Sequence, residues 1–212
     1  MRGLYLPYKS GTVTLTSRFG WRDLYGVQDY HKGVDLCGTD KLLVAPCDGV
    51  IGTSTILDQA TDTTLTWQWG NFVRIDTSDG LQIFMCHMAE RWVKAGDIVR
   101  AGDVIGVEGN TGYSFGSHCH FEVRRNGESV DPTPYLGIPN GWGEYDAAAQ
   151  WKEKEGEKVK EWWEEAVAWA QENGIIYGDE NGNLQLDKPC TRKQMVTFLY
   201  RLYKLIMAKM GG

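Results

Sequence analysis

The sequence predicts a mainly β domain of antiparallel sheets stacked as a sandwich, followed by a small α-helical C-terminal domain. Two observations carry this. Through residues 1–135, short alternating or apolar runs recur at intervals of about ten residues, separated by Gly-, Asp- and Pro-containing turns, with no sustained helical period. After Pro132 the composition changes: Pro and Gly cluster over 132–146, and Trp, Ala, Glu and Lys then recur at steps of three and four.

Taken in order, Thr12-Val13-Thr14-Leu15-Thr16 alternates as a half-buried strand does. Leu42-Leu43-Val44-Ala45-Pro46 and Asp48-Gly49-Val50-Ile51-Gly52 are two short strands around a Pro/Asp-Gly turn. Residues 53–69, polar and Thr-rich, are expected as a long hairpin loop carrying exposed Trp67 and Trp69. Residues 71–76 and 81–88 flank Ser78-Asp79-Gly80 as a hairpin. Further short strands follow at 96–99 and 102–107. The expected organisation is a β domain over 1–135, a linker over 136–148 and a helical module over 149–212. A first helix runs from about Asp146 to Asn173 and stops at Asn173-Gly174. A polar turn occupies 178–183. A second helix opens at Thr191-Arg192-Lys193-Gln194, a capping-box arrangement, with Met195, Val196, Leu199, Leu202, Tyr203 and Ile206 on its apolar face.

The net charge is −6, with 12 Lys+Arg against 16 Asp+Glu in 1–135 and 10 against 12 in the remainder, so neither half is a basic surface for nucleic acid or an anionic membrane. No apolar window is long enough to span a bilayer, and the first residues lack a signal-peptide core. The five cysteines (Cys37, Cys47, Cys86, Cys119 and Cys190) are odd in number and lack two-residue spacing, which fits buried free thiols made in a reducing cytoplasm.

The chemistry concentrates in four histidines. His118 and His120 stand two apart in Gly116-Ser117-His118-Cys119-His120-Phe121-Glu122-Val123, so a strand there would put His118, His120 and Glu122 on one face. A second cluster, His31-Lys32-Gly33-Val34-Asp35, adds an imidazole and a carboxylate. Two His and one Asp would fill three tetrahedral zinc positions and leave the fourth open for water, the pattern of a catalytic site.

These blocks resemble the lysostaphin-type, or LytM, zinc metalloendopeptidases. The likeness spans about residues 15–135: Ser17-Arg18-Phe19-Gly20-Trp21-Arg22, His31-Lys32-Gly33-Val34-Asp35-Leu36, Val44-Ala45-Pro46-Cys47-Asp48-Gly49-Val50, Gly70-Asn71-Phe72-Val73-Arg74-Ile75, Gly96-Asp97-Ile98-Val99-Arg100-Ala101-Gly102, Gly109-Asn110-Thr111-Gly112 and His118-Cys119-His120-Phe121-Glu122-Val123. The resemblance implies one Zn2+ per chain, held by His31, Asp35 and His120, and hydrolysis of peptide bonds in bacterial peptidoglycan. His118 is then the general base and His87 the partner of the attacking water or the developing oxyanion, roles that sequence alone leaves exchangeable. Glu122 either orients a histidine from behind or caps a solvated edge. One departure is Met85-Cys86-His87-Met88, where the family usually has Tyr-Ala-His-Leu, so a tyrosine hydroxyl is lost. The alternative within the family is a non-catalytic scaffold or activator of other wall hydrolases.

Residues 166–203 resemble one S-layer homology repeat, carried by Ala168-Trp169-Ala170-Gln171-Glu172-Asn173-Gly174-Ile175-Ile176, Gly178-Asp179, Thr191-Arg192-Lys193-Gln194-Met195 and Phe198-Leu199-Tyr200-Arg201. That implies binding of a secondary cell-wall polymer, with Arg192 meeting an anionic glycan. The other reading of these helices is packing or self-association into a homo-oligomer. A wall hydrolase joined to a wall-binding module, made in the cytoplasm without a leader and acting after release, resembles a phage endolysin.

Overall fold

In a computed structural model of the chain, residues 3–24, 26–56, 66–156, 162–177, 184 and 192–210 are described. They form two compact units, Met1–Gly156 and Glu157–Gly212. The first unit begins with β1 (Thr12–Ser17), β2 (Gly20–Leu24), β3 (Val27–His31), β4 (Val34–Gly38), β5 (Leu42–Val44) and β6 (Gly49–Ile56). A 3-10 turn at Thr66–Trp69 precedes β7 (Asn71–Asp76), β8 (Leu81–Met88), β9 (Glu90–Arg91), β10 (Ile98–Val99) and β11 (Val104–Val107). β12 (Cys119–Arg125), β13 (Glu128–Val130), α1 (Thr133–Leu136), β14 (Gly143–Asp146) and α2 (Ala147–Gly156) complete it. The second unit contains α3 (Trp162–Glu172) and α4 (Arg192–Met210).

The main sheet runs β10-β6-β7-β8-β12-β4-β1-β14, with β13 also on β12; β5-β11-β9 and the β2-β3 hairpin form two smaller sheets. All of these strand pairs are antiparallel, as the sequence predicts. Alternation sorts the faces. Val13 and Leu15 on β1, Leu36 and Val34 on β4, and Cys119, Phe121 and Val123 on β12 are fully buried in one apolar core with Ile75, Ile83 and Met85. Met85 stands where the resembling family carries a tyrosine, and its complete burial shows that core packing takes up the change. The opposite face of β12 carries His120, Glu122 and Arg124.

Three expectations are corrected. Residues 136–148 are not a linker. β14 pairs with β1 from Thr12↔Asp146 to Leu15↔Gly143, closing what would otherwise be an open sheet edge. The helical stretch after Asp146 is not one helix of the second module. α2 belongs to the first unit, where Trp151 stacks on Tyr5 with ring centroids 3.9 Å apart and donates its indole N–H to Tyr8 O at 2.8 Å. The span 53–69 is not all loop, because β6 extends to Ile56 and the two tryptophans are half-buried, Trp69 packing on Phe72 and Phe84. On α4 the apolar residues Met195, Val196, Leu199, Tyr203 and Ile206 are exposed, a property the sequence reading leaves open. Thr191, the turn at 178–183, Cys190 and residues 57–65 lie outside the described residues.

α3 ends as expected: Gly174 adopts φ 66° and Ile175 N–H returns to Ala170 O at 2.7 Å. Arg201 on α4 donates to Ile175 O at 3.1 Å and lies over the Tyr177 ring. Among the described residues, no helix is long and apolar enough to cross a membrane.

Because Trp151 closes the first unit, Trp151→Ala should destabilise that unit by about 3–5 kcal/mol, the usual cost of emptying a large aromatic site. Denaturant unfolding followed by the fluorescence of the remaining tryptophans tests this. A change below about 1 kcal/mol would place the helix outside the cooperative unit.

Candidate metal and hydrolytic centre

Strand register assembles the centre. β12 lies between β4 and β8, and His120 is opposite Asp35 on one side and opposite Cys86, the neighbour of His87, on the other. His31 ends β3, and the short connection through Lys32 and Gly33 returns the chain to Asp35 on β4. Gly33 is required there by space. A Cβ on it would lie 2.4 Å from Phe121 O and 2.9 Å from His120 Cε1, so only glycine lets this connection pass over the His120 ring. His87 adopts φ 62°, in the left-handed region that a His tolerates better than most residues.

The side chains converge on one oxygen. Asp35 Oδ1 lies 3.1 Å from His120 Nδ1, 3.2 Å from His31 Nε2 and 3.5 Å from His118 Nε2. His31 Nε2 and His120 Nδ1 are 3.0 Å apart. The His87 ring packs 4.6 Å from that of His118, centroid to centroid. His118 precedes β12 rather than lying within it, and is held by pairing with Gly109. All six sequence candidates of the first unit are therefore brought together, with Glu122 behind His120. Arg192, at the start of α4, belongs to the second unit.

The orientation of each ring is set from behind. His31 Nδ1 lies 2.9 Å from Arg18 O, His87 Nδ1 2.8 Å from Thr111 O, and His118 Nδ1 2.8 Å from Gly116 O. A carbonyl can only accept, so each Nδ1 carries the proton and each Nε2 keeps its lone pair. His120 is turned the other way. Its Nε2 faces Glu122 Oε2 at 3.5 Å, leaving Nδ1 for the centre. Glu122 is fully buried, so it does not cap a solvated edge; its Oε2 faces the His120 ring. It is held by Arg124 Nε and Ser129 Oγ, both at 2.6 Å, and Arg124 in turn lies over the Phe84 and Trp69 rings.

The electrostatics follow from burial and these contacts. Burial pushes the carboxyl pKa of Asp35 up, but the hydrogen bonds and charges of His120 and His31 outweigh it and hold the group well below the usual range. For Glu122 burial is likewise outweighed by His120, Arg124 and Ser129, giving about 2. Burial pushes His120 down, but Asp35 and Glu122 carry it up to about 9. His87 is lowered to about 4 by burial and by the neighbouring His118 and His120.

The donor set fits a tetrahedral cation. Around zinc with N and O ligands at 2.0–2.2 Å, adjacent donors are about 3.3 Å apart. The three donor pairs among His31 Nε2, Asp35 Oδ1 and His120 Nδ1 lie at 3.0, 3.2 and 3.1 Å. These three residues also form the one His/Cys/Asp/Glu group of metal-holding geometry among the described residues.

Residues 29–132 match the model of Peptidase family M23, and residues 159–196 match that of the S-layer homology domain. The first unit carries an M23 peptidase domain. The chain is 33% identical over 121 residues to the DD-carboxypeptidase/endopeptidase Mpg of Neisseria meningitidis serogroup B, covering 56% of this chain and 26% of that protein. It is 40% identical over 73 residues to lysostaphin of Staphylococcus staphylolyticus, covering 32% of this chain and 15% of that one. The catalytic domain of the prophage-encoded M23 protein EnpA from Enterococcus faecalis, solved as a point mutant, superposes with a TM-score of 0.50. It is 29% identical and covers 63% of this chain and 96% of that one. The chain thus spans only about a quarter or less of the curated relatives' own length.

Several participants in the M23 centre have no side-chain signature. The carbonyls of Arg18, Thr111 and Gly116 lie in or beside the motif blocks, but the residue letters do not reveal their role. Arg22, quoted in a motif block but given no role there, takes part through its guanidinium: it approaches Asp35 Oδ2 at 3.4 Å and pairs with Asp29 at 2.9 Å.

The pH dependence of the metal-free domain follows from these shifts. His120 has a raised pKa in the folded state, so its contribution is complete below about 6.5, the ordinary value, and is lost as pH rises through about 9. His87 has a lowered one, so its contribution is complete above about 6.5 and is lost as pH falls toward about 4. Calorimetry of chelator-treated protein should therefore find maximal thermal stability near pH 6.5, falling on both sides. A Tm still rising from pH 7 to 9 would contradict these assignments.

Proposed function

We propose that the M23 domain is a zinc-dependent endopeptidase that cuts peptide bonds in bacterial peptidoglycan. The convergence of His31 Nε2, Asp35 Oδ1 and His120 Nδ1, with the lone pair of His118 Nε2 beside them, carries this reading. The similarity to Mpg and lysostaphin supports the substrate class. Because every ligand and base position is filled, the non-catalytic scaffold has no support in the site.

In this reading His31, Asp35 and His120 hold one zinc ion, which supplies the Lewis acidity that makes water an effective nucleophile near neutral pH. His118 Nε2 takes the proton of the attacking water, its ring held for the task by Gly116 O. The resulting imidazolium then gives the proton to the departing amine of the cleaved peptide. His87 is neutral at physiological pH and presents an acceptor Nε2, which suits it to align the attacking water. Stabilising an oxyanion would require a proton that this nitrogen does not carry in the tautomer set by Thr111 O. Glu122 keeps His120 Nδ1 directed at the metal.

The S-layer homology domain is proposed to tether the enzyme to an anionic secondary cell-wall polymer, with Arg192 as a guanidinium contact. The pairing of wall hydrolase with wall-binding module, and the likeness to a prophage-encoded M23 catalytic domain, support an endolysin role.

Zymography on purified peptidoglycan with and without a zinc chelator tests the reading, alongside His118→Ala. We expect clearing by the wild type, its loss on metal removal and its recovery with Zn2+. His118→Ala should lower hydrolysis by about 10²-fold or more while zinc stays near one per chain. Clearing that survives complete metal removal would refute the metallopeptidase assignment, and loss of zinc from His118→Ala would move that residue from base to ligand.

A further inference from the structure

Glu108 is a carboxylate only 4% exposed, outside the group of residues that faces the substrate. Four donors from three parts of the chain meet it. Lys41 Nζ and Ser117 Oγ each lie 2.6 Å from Oε1; Tyr8 Oη lies 2.7 Å and Gly38 N 2.9 Å from Oε2. Its own N–H donates to Lys41 O at 2.8 Å. Burial works against its ionisation, but Lys41, Ser117, Gly38 and Tyr8 together keep its pKa below the ordinary carboxyl value. An ionised group this buried is costly unless its oxygens are satisfied, and here each oxygen receives two donors.

What Glu108 joins is informative. Gly38 ends β4, three residues after Asp35. Ser117 directly precedes His118 and is exposed, in a stretch that pairs with the sheet only through Gly109 and His118. The remaining restraints on this stretch are neutral: His118 N to Gly109 O at 3.1 Å, Cys37 Sγ to Ser117 O at 3.4 Å, Ser114 Oγ to Gly116 O at 2.8 Å and Ser114 Oγ beside His118 Nδ1 at 3.2 Å. The hydrogen bond from Ser117 to the ionised Glu108 is charge-assisted and so the strongest of the set. It fixes the peptide whose neighbouring carbonyl, Gly116 O, holds the proton of His118 Nδ1.

We infer that Glu108, acting through the Ser117 hydroxyl, is a positioning residue that holds the 116–118 peptide so that His118 presents Nε2 toward Asp35. The kinetic consequence rests on the hydrolytic reading above; the positioning itself does not. The first has Glu108 and Ser117 acting on the rate of proton transfer and not on metal or substrate affinity.

The test compares Ser117→Ala, Ser117→Thr and Glu108→Gln in the zinc-loaded full chain. Ser117 is exposed, so Ser117→Ala keeps the test valid even if Glu108→Gln fails to fold. We expect Ser117→Ala to keep one zinc per chain, a KM within about twofold of wild type and a near-normal Tm, while kcat falls about 10-fold or more, as small displacements of a reacting group do. Ser117→Thr restores the hydroxyl and should recover kcat to within about threefold. Independently of activity, imidazole 15N spectra at fixed pH should show a single Nδ1–H tautomer for His118 in the wild type and in Ser117→Thr, and a mixture in Ser117→Ala. With an active wild type, an unchanged kcat or an unchanged tautomer in Ser117→Ala overturns the inference, as does a fall in Tm alone. If the wild type does not cut peptidoglycan, the functional reading fails and the His118 tautomer alone decides the positioning.

Discussion

The centre depends on the hydrogen bonds made by the nitrogens that face away from it. Three main-chain carbonyls, Arg18 O, Thr111 O and Gly116 O, take the Nδ1 protons of His31, His87 and His118. For His120 the group behind Nε2 is the buried Glu122 carboxylate, 3.5 Å away, an ionic contact. An imidazole has one lone pair to offer in its neutral form, and which nitrogen offers it is decided by the partner of the other. The remaining nitrogens of His31, His118 and His120 face one small volume around Asp35 Oδ1, and the His87 ring packs beside His118. The same arrangement raises the pKa of His120, since both its nitrogens face carboxylates.

The fold serves this arrangement through register and through one missing side chain. β12 is central, so His120 is fixed against Asp35 and beside His87 by backbone pairing on both sides. A one-residue slip would move His120 and Glu122 into the core and bring Phe121 out, which the complete burial of Cys119, Phe121 and Val123 forbids. Gly33 lets the His31–Asp35 connection cross the His120 ring at a distance no other residue allows. Arg124 supports Glu122 from beyond, held over Trp69 and Phe84, so the aromatic packing on the outer face of the sheet also bears on the surroundings of His120.

Much of this was legible in the sequence. The spacing of His31 and Asp35 and the pair His118 and His120 named the converging side chains, and short strands between Gly turns named the fold. What was not legible has physical causes. Carbonyl acceptors carry no residue identity, so Arg18, Thr111 and Gly116 could be quoted within or near motifs without a role. The fate of residues 136–156 depended on long-range pairing: Gly143–Asp146 has little strand character of its own and becomes a strand because β1 offers a free edge. Trp151 fitted a helical period, but periodicity cannot say which core a helix packs on, and here that core is the first unit's. Glu108 could not be found from spacing, since its four partners are spread from Tyr8 to Ser117.

The central claim is that ring orientation is fixed by the partners behind each histidine. The most direct measurement is a crystal structure of the zinc-loaded protein with the ion located by anomalous scattering at the zinc edge. The account predicts one ion bound by Nε2 of His31, Nδ1 of His120 and Asp35, with the carbonyl contacts of His31, His87 and His118 intact. Zinc bound through Nδ1 of His31 or Nε2 of His120, or an ion away from Asp35, would contradict it.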